Sequence, residues 1–471
     1  MTSAVVVGSG PNGLAAAVTL AASGADVTVL EASDVIGGGT RSGEVTLPGL
    51  RHDECSGFHP LAIDNAFARS VPLQDHGLRW AWPEVQYSHP LDNGRGAAVW
   101  RSVDRTVDEL GSDGPSYRRL FGRLDELFDD IATEFLQPMV HVPRHPLALA
   151  RFGAYAALPA TWLARRWQRD ETRALYAGVA AHAFRPLGTL MSSAIGVALG
   201  TAAHRFGWPV AVGGSAAVTT AMAGVLASHG GRIETGAAVR RLEELAGADL
   251  VMLDTSPSAA ARILDGHQPA RVARAYRRYR HGPAAFQVAF AVEGGIPWTH
   301  EPSRRAGTVH VGGTIEQIAA AERDVWRGRM PSRPFVLVGQ QSLADPGRAH
   351  HDTHPVDVYA HVPAGWRGDA TQPIVDQIER YAPGFTRRIR GSRVRAVSDI
   401  EGTNVNYVGG DIVNGANTPR QLVFRPRVAL DPYPTGVPGV YLCSAATPPG
   451  AGAHGMCGWH AARSALRSLD R

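Results

Sequence analysis

Ala4-Val5-Val6-Val7-Gly8-Ser9-Gly10-Pro11-Asn12-Gly13 is the stretch from which the rest of the 471-residue chain can be read. Ala4–Val7 has the apolar run of a buried strand, Gly8–Gly13 is a turn, Leu14–Ser23 reads as a helix of small residues, and Asp26–Leu30 as a second strand. Together they begin a βαβ unit. In that context Gly-x-Gly-x-x-Gly is a dinucleotide fingerprint. Gly8 permits the tight turn, Gly10 lets the backbone approach a pyrophosphate, and Gly13 lets helix and strand pack closely. Pro11 and Asn12 open the helix, whose free N–H groups face the phosphate charge. Glu31 ends the second strand 18 residues after Gly13, close to the spacing of about 20 at which a carboxylate accepts bonds from ribose hydroxyls. Ala32 comes next along the same site.

FAD and NAD share this fingerprint, so the choice between them rests on the residues beyond Ala32. Gly37-Gly38-Gly39-Thr40-Arg41-Ser42 is a glycine-rich loop soon after the ribose carboxylate. Gly38 and Gly39 can bring backbone against a ribityl and phosphate region, and Arg41 can supply a charge-assisted bond, which favours noncovalent FAD. A second formal match, Gly450–Gly455, has the wrong context: several residues separate it from strand Val440–Cys443, and the sequence ends before a ribose-binding acid at the usual spacing could follow. No second nucleotide site is expected, and the reducing equivalents should enter from or leave to something other than a bound nicotinamide.

At 44% hydrophobic residues the chain can bury large cores, and its length exceeds the usual span of one compact domain. A formal charge of +4 comes from 47 basic against 43 acidic residues, and all the basic residues are arginine. They are scattered, without the basic run of about 5–8 residues that marks a nucleic-acid arm, so no nucleic-acid partner is expected. Cys55, Cys443 and Cys457 form neither Cys-x-x-Cys pairs nor an even framework, as expected of reduced thiols in the cytoplasm. The apolar opening lacks a basic leader and is interrupted by Pro11 and Asn12, which argues against a signal peptide. The uncharged run Pro186–Ala203 carries glycines and serines and reads as a buried helix or tunnel wall rather than a membrane span. His350-His351-Asp352-Thr353-His354 adjoins the turn Asp345-Pro346-Gly347 and has no remote partner set, so no metal is expected.

From Pro60 to His204 the pattern is helical, with aromatics, Arg/Asp pairs and prolines, and no strand-rich core is expected there. A small-residue helix is expected at Ala216–His229, then strands at Ala237–Leu242, Asp249–Asp254 and Ala284–Val292. Further β segments are expected at Gly307–Val311 and Phe335–Gln340, a helix near Ile374–Tyr381, a strand at Val440–Cys443 and a helix from about Met456. The expected fold class is α/β: a Rossmann-type FAD-binding domain (1–60, 205–275 and 400–471) interleaved with an α+β substrate domain (61–204 and 276–399).

The glycine motif and Gly37-Gly38 are joined by Gly213-Gly214 ahead of a helix and by Gly230-Gly231-Arg232-Ile233 leading to Val239. Arg305–His310, Tyr381-Ala382-Pro383-Gly384-Phe385, Tyr407-Val408-Gly409-Gly410-Asp411-Ile412 and Gly439–Cys443 complete the set. In these the chain resembles, nearly end to end, the phytoene-desaturase-like FAD oxidoreductases, a group within the amine-oxidase-like flavoproteins. The resemblance implies an FAD domain interleaved with a substrate domain that covers the flavin's reactive face. It also implies that Val239 binds adenine through its backbone, and that Ser444, Gly455, Met456 and Cys457 surround the flavin. Two features depart from the pattern. Gly39 stands where many relatives of the wider superfamily have arginine, with Arg41 as its substitute, and a chain without lysine lacks the lysine–water machinery of many amine oxidases.

The family name does not fix a substrate. The expected activity is FAD-dependent dehydrogenation (desaturation) of C–C bonds in a largely apolar substrate by hydride transfer to flavin N5, with oxygen, a quinone or another carrier reoxidising the flavin. The alternatives are a redox-neutral isomerase of a polyene and a lipid-binding protein of the same fold without redox chemistry. His59, His454 and Tyr407 are the candidate proton-moving side chains, and His460 flanks the same region as His454. The start of the last helix, Gly455–Gly458, is expected against the N1 and C2 carbonyl edge of the flavin. Arg151–Arg166 is expected to form packed lid helices broken at Pro159, with peripheral contact to a membrane as the alternative. The oligomeric state is left open.

Overall fold

In a computed structural model that describes residues 2–469, the opening unit forms as strand Ser3–Val7, helix Pro11–Ala22 and strand Asp26–Leu30. The ends of the proposed FAD-binding segments, Met1, Asp470 and Arg471, lie outside the described residues. Pro11 occupies the first helical turn, where its missing N–H removes a donor that would have no helical partner anyway. Leu14, Ala15, Ala16 and Ala17 are fully buried, because the helix is packed between helices Ala216–Ser228 and Met456–Leu469.

The first sheet runs in the order Val440–Leu442, Leu250–Leu253, Ser3–Val7, Asp26–Leu30, Arg232–Glu234, and every neighbouring pair is parallel. All five carboxyl ends therefore open at one edge, the place where ligands of open α/β sheets bind.

The second sheet has seven strands in the order Ile389–Arg395, Ala284–Glu293, Thr353–Val362, Val336–Gly339, Ala306–Val311, Val85–Pro90, Gly96–Trp100. Its pairs are antiparallel except Ala306–Val311 beside Val85–Pro90. Val288, Phe290, Val309, Val338 and Val358 belong to its buried core. The architecture is the mixed α/β one expected, and on this distribution of strands we propose the division of the chain at residues 60, 204, 275 and 399.

Three local expectations are corrected. Residues 61–204 do supply strands, Val85–Pro90 and Gly96–Trp100. The first was hidden because its polar residues are buried on remote partners: Gln86 Oε1 accepts from Trp208 N–H (2.7 Å), Ser88 meets Ser303 Oγ (2.9 Å), and His89 Nε2 donates to Gly313 O (2.8 Å). Ala237–Leu242 is not a strand. Pairing stops at Glu234, and after Gly236 the chain passes along the edge of the sheet with Ala237 N–H donating to Glu31 O. Strands Thr353–Val362 and Ile389–Arg395 were not anticipated, the second because its arginines face solvent at a sheet edge, where charge discourages further pairing.

The uncharged run Pro186–Ala203 leads into helix Ser193–Arg205, and Pro159 separates helices Pro146–Ala156 and Ala160–Leu163. Among the described residues no helix is long and apolar enough to cross a membrane.

Candidate cofactor and substrate site

Beyond the carboxyl edge of the five-stranded sheet lies a cavity of about 1550 Å³, larger than the roughly 300–1,000 Å³ of a single small-ligand pocket. Gly8, Gly10, Pro11, Asn12, Glu31, Ala32, Gly38, Gly39, Arg41 and Val239 all come to its wall. Glu31 is held there rigidly: Oε2 accepts from Ser9 N–H (2.9 Å) and Ser9 Oγ (2.5 Å), and Oε1 accepts from Ser33 N–H (2.9 Å). Arg41 pairs with Glu31 at 3.5 Å and donates to the carbonyls of Val35 and Thr403. Its guanidinium therefore ties the glycine loop to residues 402–407. Gly13 lies behind the wall, where a Cβ would come 2.1 Å from Gly8 O.

Sequence reasoning missed Asp254. It comes directly after strand Leu250–Leu253, lines the cavity and accepts from Gly13 N–H at 3.0 Å, at the start of helix Pro11–Ala22. A Cβ on Gly10 would sit 2.6 Å from its Oδ2, so bulk at position 10 meets this carboxylate first. Burial lifts the carboxyl from 3.8 to about 7, with the Glu31 charge adding to the effect and the Gly13 N–H opposing it. An acid at the carboxyl end of a Rossmann strand was the available signal. Asn406 clamps the same turn, donating to Asp254 O (2.9 Å) and accepting from Ser256 N–H (2.7 Å).

His59, His454 and Tyr407 all line the cavity. His59 Nε2 lies 2.9 Å from Ser215 Oγ, and burial lowers its pKa to about 4. His454 Nδ1 accepts from Met456 N–H at 3.1 Å, which puts the proton of the neutral ring on Nε2, and burial again lowers the pKa to about 4. The Tyr407 hydroxyl lies 3.5 Å from Cys55 Sγ and covers Gly39, where a Cβ would come 2.1 Å from it; burial holds it far above the usual phenol range. At neutral pH all three are uncharged. His460 is instead occupied with Leu136 O (2.9 Å). His182, also missed, lines the cavity with Nε2 2.8 Å from His310 Nε2.

Another part of the cavity is walled by Leu136, Met139, Phe152, Ala194, Ala198 and Trp208. The run Pro186–Ala203 thus contributes wall through Ala194 and Ala198, whereas Gly196 faces away, its Cβ position 2.8 Å from Ala180 Cα.

The last helix begins just behind this wall. Ala451–His454 form the wall, and Ser444, Gly455, Met456 and Cys457 do not reach it. The physical reason is packing. A Cβ at Gly455 would lie 2.6 Å from Phe67 and one at Gly458 would lie 1.8 Å from Asn12 O, so these glycines close the last helix onto helix Pro11–Ala22. The Cys457 thiol donates to Thr447 O and Gly450 O, and burial pushes it up to about 12. Among the described residues no group of three His, Cys, Asp or Glu side chains is arranged to hold a metal.

Residues 6–66 match the model of the NAD(P)-binding Rossmann-like domain. Pyridine nucleotide-disulfide oxidoreductase domain-containing protein 2 of Rattus norvegicus is 24% identical over 99% of this chain and 93% of its own length. Hydroxyneurosporene desaturase of Cereibacter sphaeroides is 30% identical, over 34% of this chain and 32% of its own. The matched residues are those of the opening βαβ unit, and the full-length relative is named for an oxidoreductase domain. Cyclohexylamine oxidase from Brevibacterium oxydans shares the fold over 100% of both chains, with a TM-score of 0.59 at 17% identity.

Proposed function

We propose that the protein is an FAD-dependent dehydrogenase that desaturates C–C bonds in a largely apolar substrate. The observation that carries this reading is one continuous cavity joining a polar nucleotide cradle to an aliphatic and aromatic chamber. The cradle suits a dinucleotide by its own chemistry. Glu31 is fixed at the wall with acceptor capacity left for ribose hydroxyls, and the first residues of helix Pro11–Ala22 line the same wall.

Gly8, Gly10, Pro11 and Asn12, with Gly13 behind them, would hold the pyrophosphate, Glu31 and Ala32 the ribose, Gly38, Gly39 and Arg41 the flavin-side phosphate and ribityl chain, and Val239 the adenine. The attachment is noncovalent, since Cys457 is a packed thiol away from the wall. FAD, when bound, supplies hydride abstraction from carbon. Phe152, Ala198 and Trp208 hold an apolar substrate and exclude water. His59, His454, Tyr407 and His182 can accept or donate a hydrogen bond there without placing a charge in the chamber. Oxygen, a quinone or another carrier then takes the electrons. The partial likeness to hydroxyneurosporene desaturase supports an apolar substrate, and the intact cradle favours redox chemistry over simple lipid binding.

The test is to purify the protein, record its flavin absorbance, and incubate it with its extracted copurified ligand under electron-acceptor turnover. Loss of two hydrogens in the product mass is the expected result. An isomer of unchanged mass would assign the redox-neutral reaction, and a protein that takes up no FAD on reconstitution would refute the reading.

A further inference from the structure

Between Leu136 and Arg169 the sequence holds no Asp or Glu, but five arginines (144, 151, 165, 166 and 169) and two histidines. With 43 acidic residues in 471, a stretch of this length would ordinarily carry about three. The segment has two faces. Inward, Phe152 and Ala156 are buried, and Leu149, Phe152 and Gly153 line the apolar part of the cavity. Outward, Val142 is 90% exposed, Leu147 86% and Trp162 59%. Leu190, 64% exposed, joins them because its loop is bonded to this segment through Met191 N–H to Ala157 O and Thr161 N–H to Leu187 O. Large aliphatic and indole side chains on one surface do not stabilise a monomer in water.

Within residues 136–169 every charged side chain is basic. Arg144, Arg151 and Arg165 are exposed, and none of them forms an ion pair among the described residues. The Arg165 guanidinium lies over the Trp162 ring at 6.0 Å. Flanking carboxylates are engaged elsewhere: Glu134 is buried against His141 and the N–H groups of Arg144 and His145, Asp130 faces His145 at 3.4 Å, Asp170 pairs with Arg173 at 3.5 Å, and Glu171 with Arg95 at 3.4 Å and Arg169 at 3.6 Å. Apolar side chains that insert, an indole at the boundary and arginines that reach outward are the chemistry of an interfacial lipid contact. A symmetric dimer through this face would bring the same arginines of both copies together, so a second copy fits it poorly.

We propose that the outer face of residues 136–169, with Leu190, docks on a bilayer containing anionic lipid. The docking does not depend on the chemistry proposed for the cavity, but it sets the aliphatic chamber directly beneath the lipid surface and so deepens that reading.

The experiment is flotation of the full-length protein with vesicles of phosphatidylcholine alone and of phosphatidylcholine with phosphatidylglycerol, using wild type, Arg144→Gln/Arg151→Gln and Leu147→Ser/Trp162→Ser. These four residues lie outside the cavity wall. Retained flavin absorbance and an unchanged melting temperature show that each variant is folded. The wild type is expected to float with the anionic vesicles and to be released by salt. The arginine pair should weaken binding about thirtyfold, from the attraction expected of two basic residues near an anionic surface, and the apolar pair should weaken it at least as much. Wild type that stays in the soluble fraction with both vesicles would overturn the proposal. So would binding that both variants leave unchanged, or a lipid-free dimer that the variants dissolve. A protein that floats but changes no substrate mass leaves docking intact and removes only the proposed desaturation.

Discussion

Replacing Asp254 by Asn removes a charge that the fold has buried beside the start of the nucleotide-binding helix. The folded carboxyl titrates at about 7 against 3.8 for an unburied one. At about 1.4 kcal/mol per pH unit the difference corresponds to roughly 4 kcal/mol. Between those two values the folded chain holds a proton that the unfolded chain has lost, so stability falls as pH rises from about 4 to about 7, and the whole penalty is present above that. Asn carries no such penalty, and its Oδ1 can still accept from Gly13 N–H. In urea unfolding of the cofactor-free protein, the variant should exceed wild type by up to about 4 kcal/mol near pH 8 and by little near pH 4. Cofactor binding should show the same proton. A pyrophosphate at this helix terminus would raise Asp254 further, so the FAD affinity of wild type should fall by up to about tenfold per pH unit above about 7, whereas that of Asp254→Asn should stay flat. A stability difference that is equal at both pH values, or a wild-type affinity independent of pH, would refute the reasoning.

Ala198→Phe, which adds bulk at the cavity wall, should discriminate by substrate length in competition turnover while flavin absorbance is retained. Gly196→Val instead drives a side chain into Ala180 and should lower stability by about 1–3 kcal/mol through overpacking, without selecting among lengths. Arg348 is fully buried with Asp53 at 2.5 Å and Asp345 at 3.1 Å; Arg348→Met leaves those carboxylates unpaired and should cost about 3–5 kcal/mol in chemical denaturation. Native protein should resist alkylation at Cys457, whose thiol is buried and pushed up to about 12, and acid precipitation should release all of the flavin; a flavin-bearing peptide containing Cys457 would contradict both expectations.

The first βαβ unit was legible because each of its signals is local: the strand ends at Val7, the turn glycines come next, and Glu31 closes the second strand. The mixed architecture could be read from strands whose apolar runs are equally plain, such as Ala284–Glu293. What stayed hidden depends on residues far apart. Gln86, Ser88 and His89 look like loop residues until partners more than a hundred positions away bury them. Val239 comes to the cavity wall but not in the expected strand, since an extended chain passing a site has the same composition as one pairing in a sheet. Gly455–Gly458 read as a ligand loop, and the close approach of Asn12 and Phe67 adds a helix-packing role that no local pattern announces. Asp254 carried no motif at all.

The helix that begins at Pro11 is covered on one side by a helix that begins at Met456. A ribosome delivers the cover about 430 residues after the helix it protects, which at about 5–20 residues per second is an interval of roughly 20 to 90 s. Throughout that time Leu14, Ala15 and their neighbours lack half of their final surroundings, and strand Leu250–Leu253 lacks its outer neighbour, Val440–Leu442. The five-stranded sheet is therefore completed only once nearly the whole chain has emerged, and expression yield will depend on how well the cell shields one small apolar helix while translation proceeds.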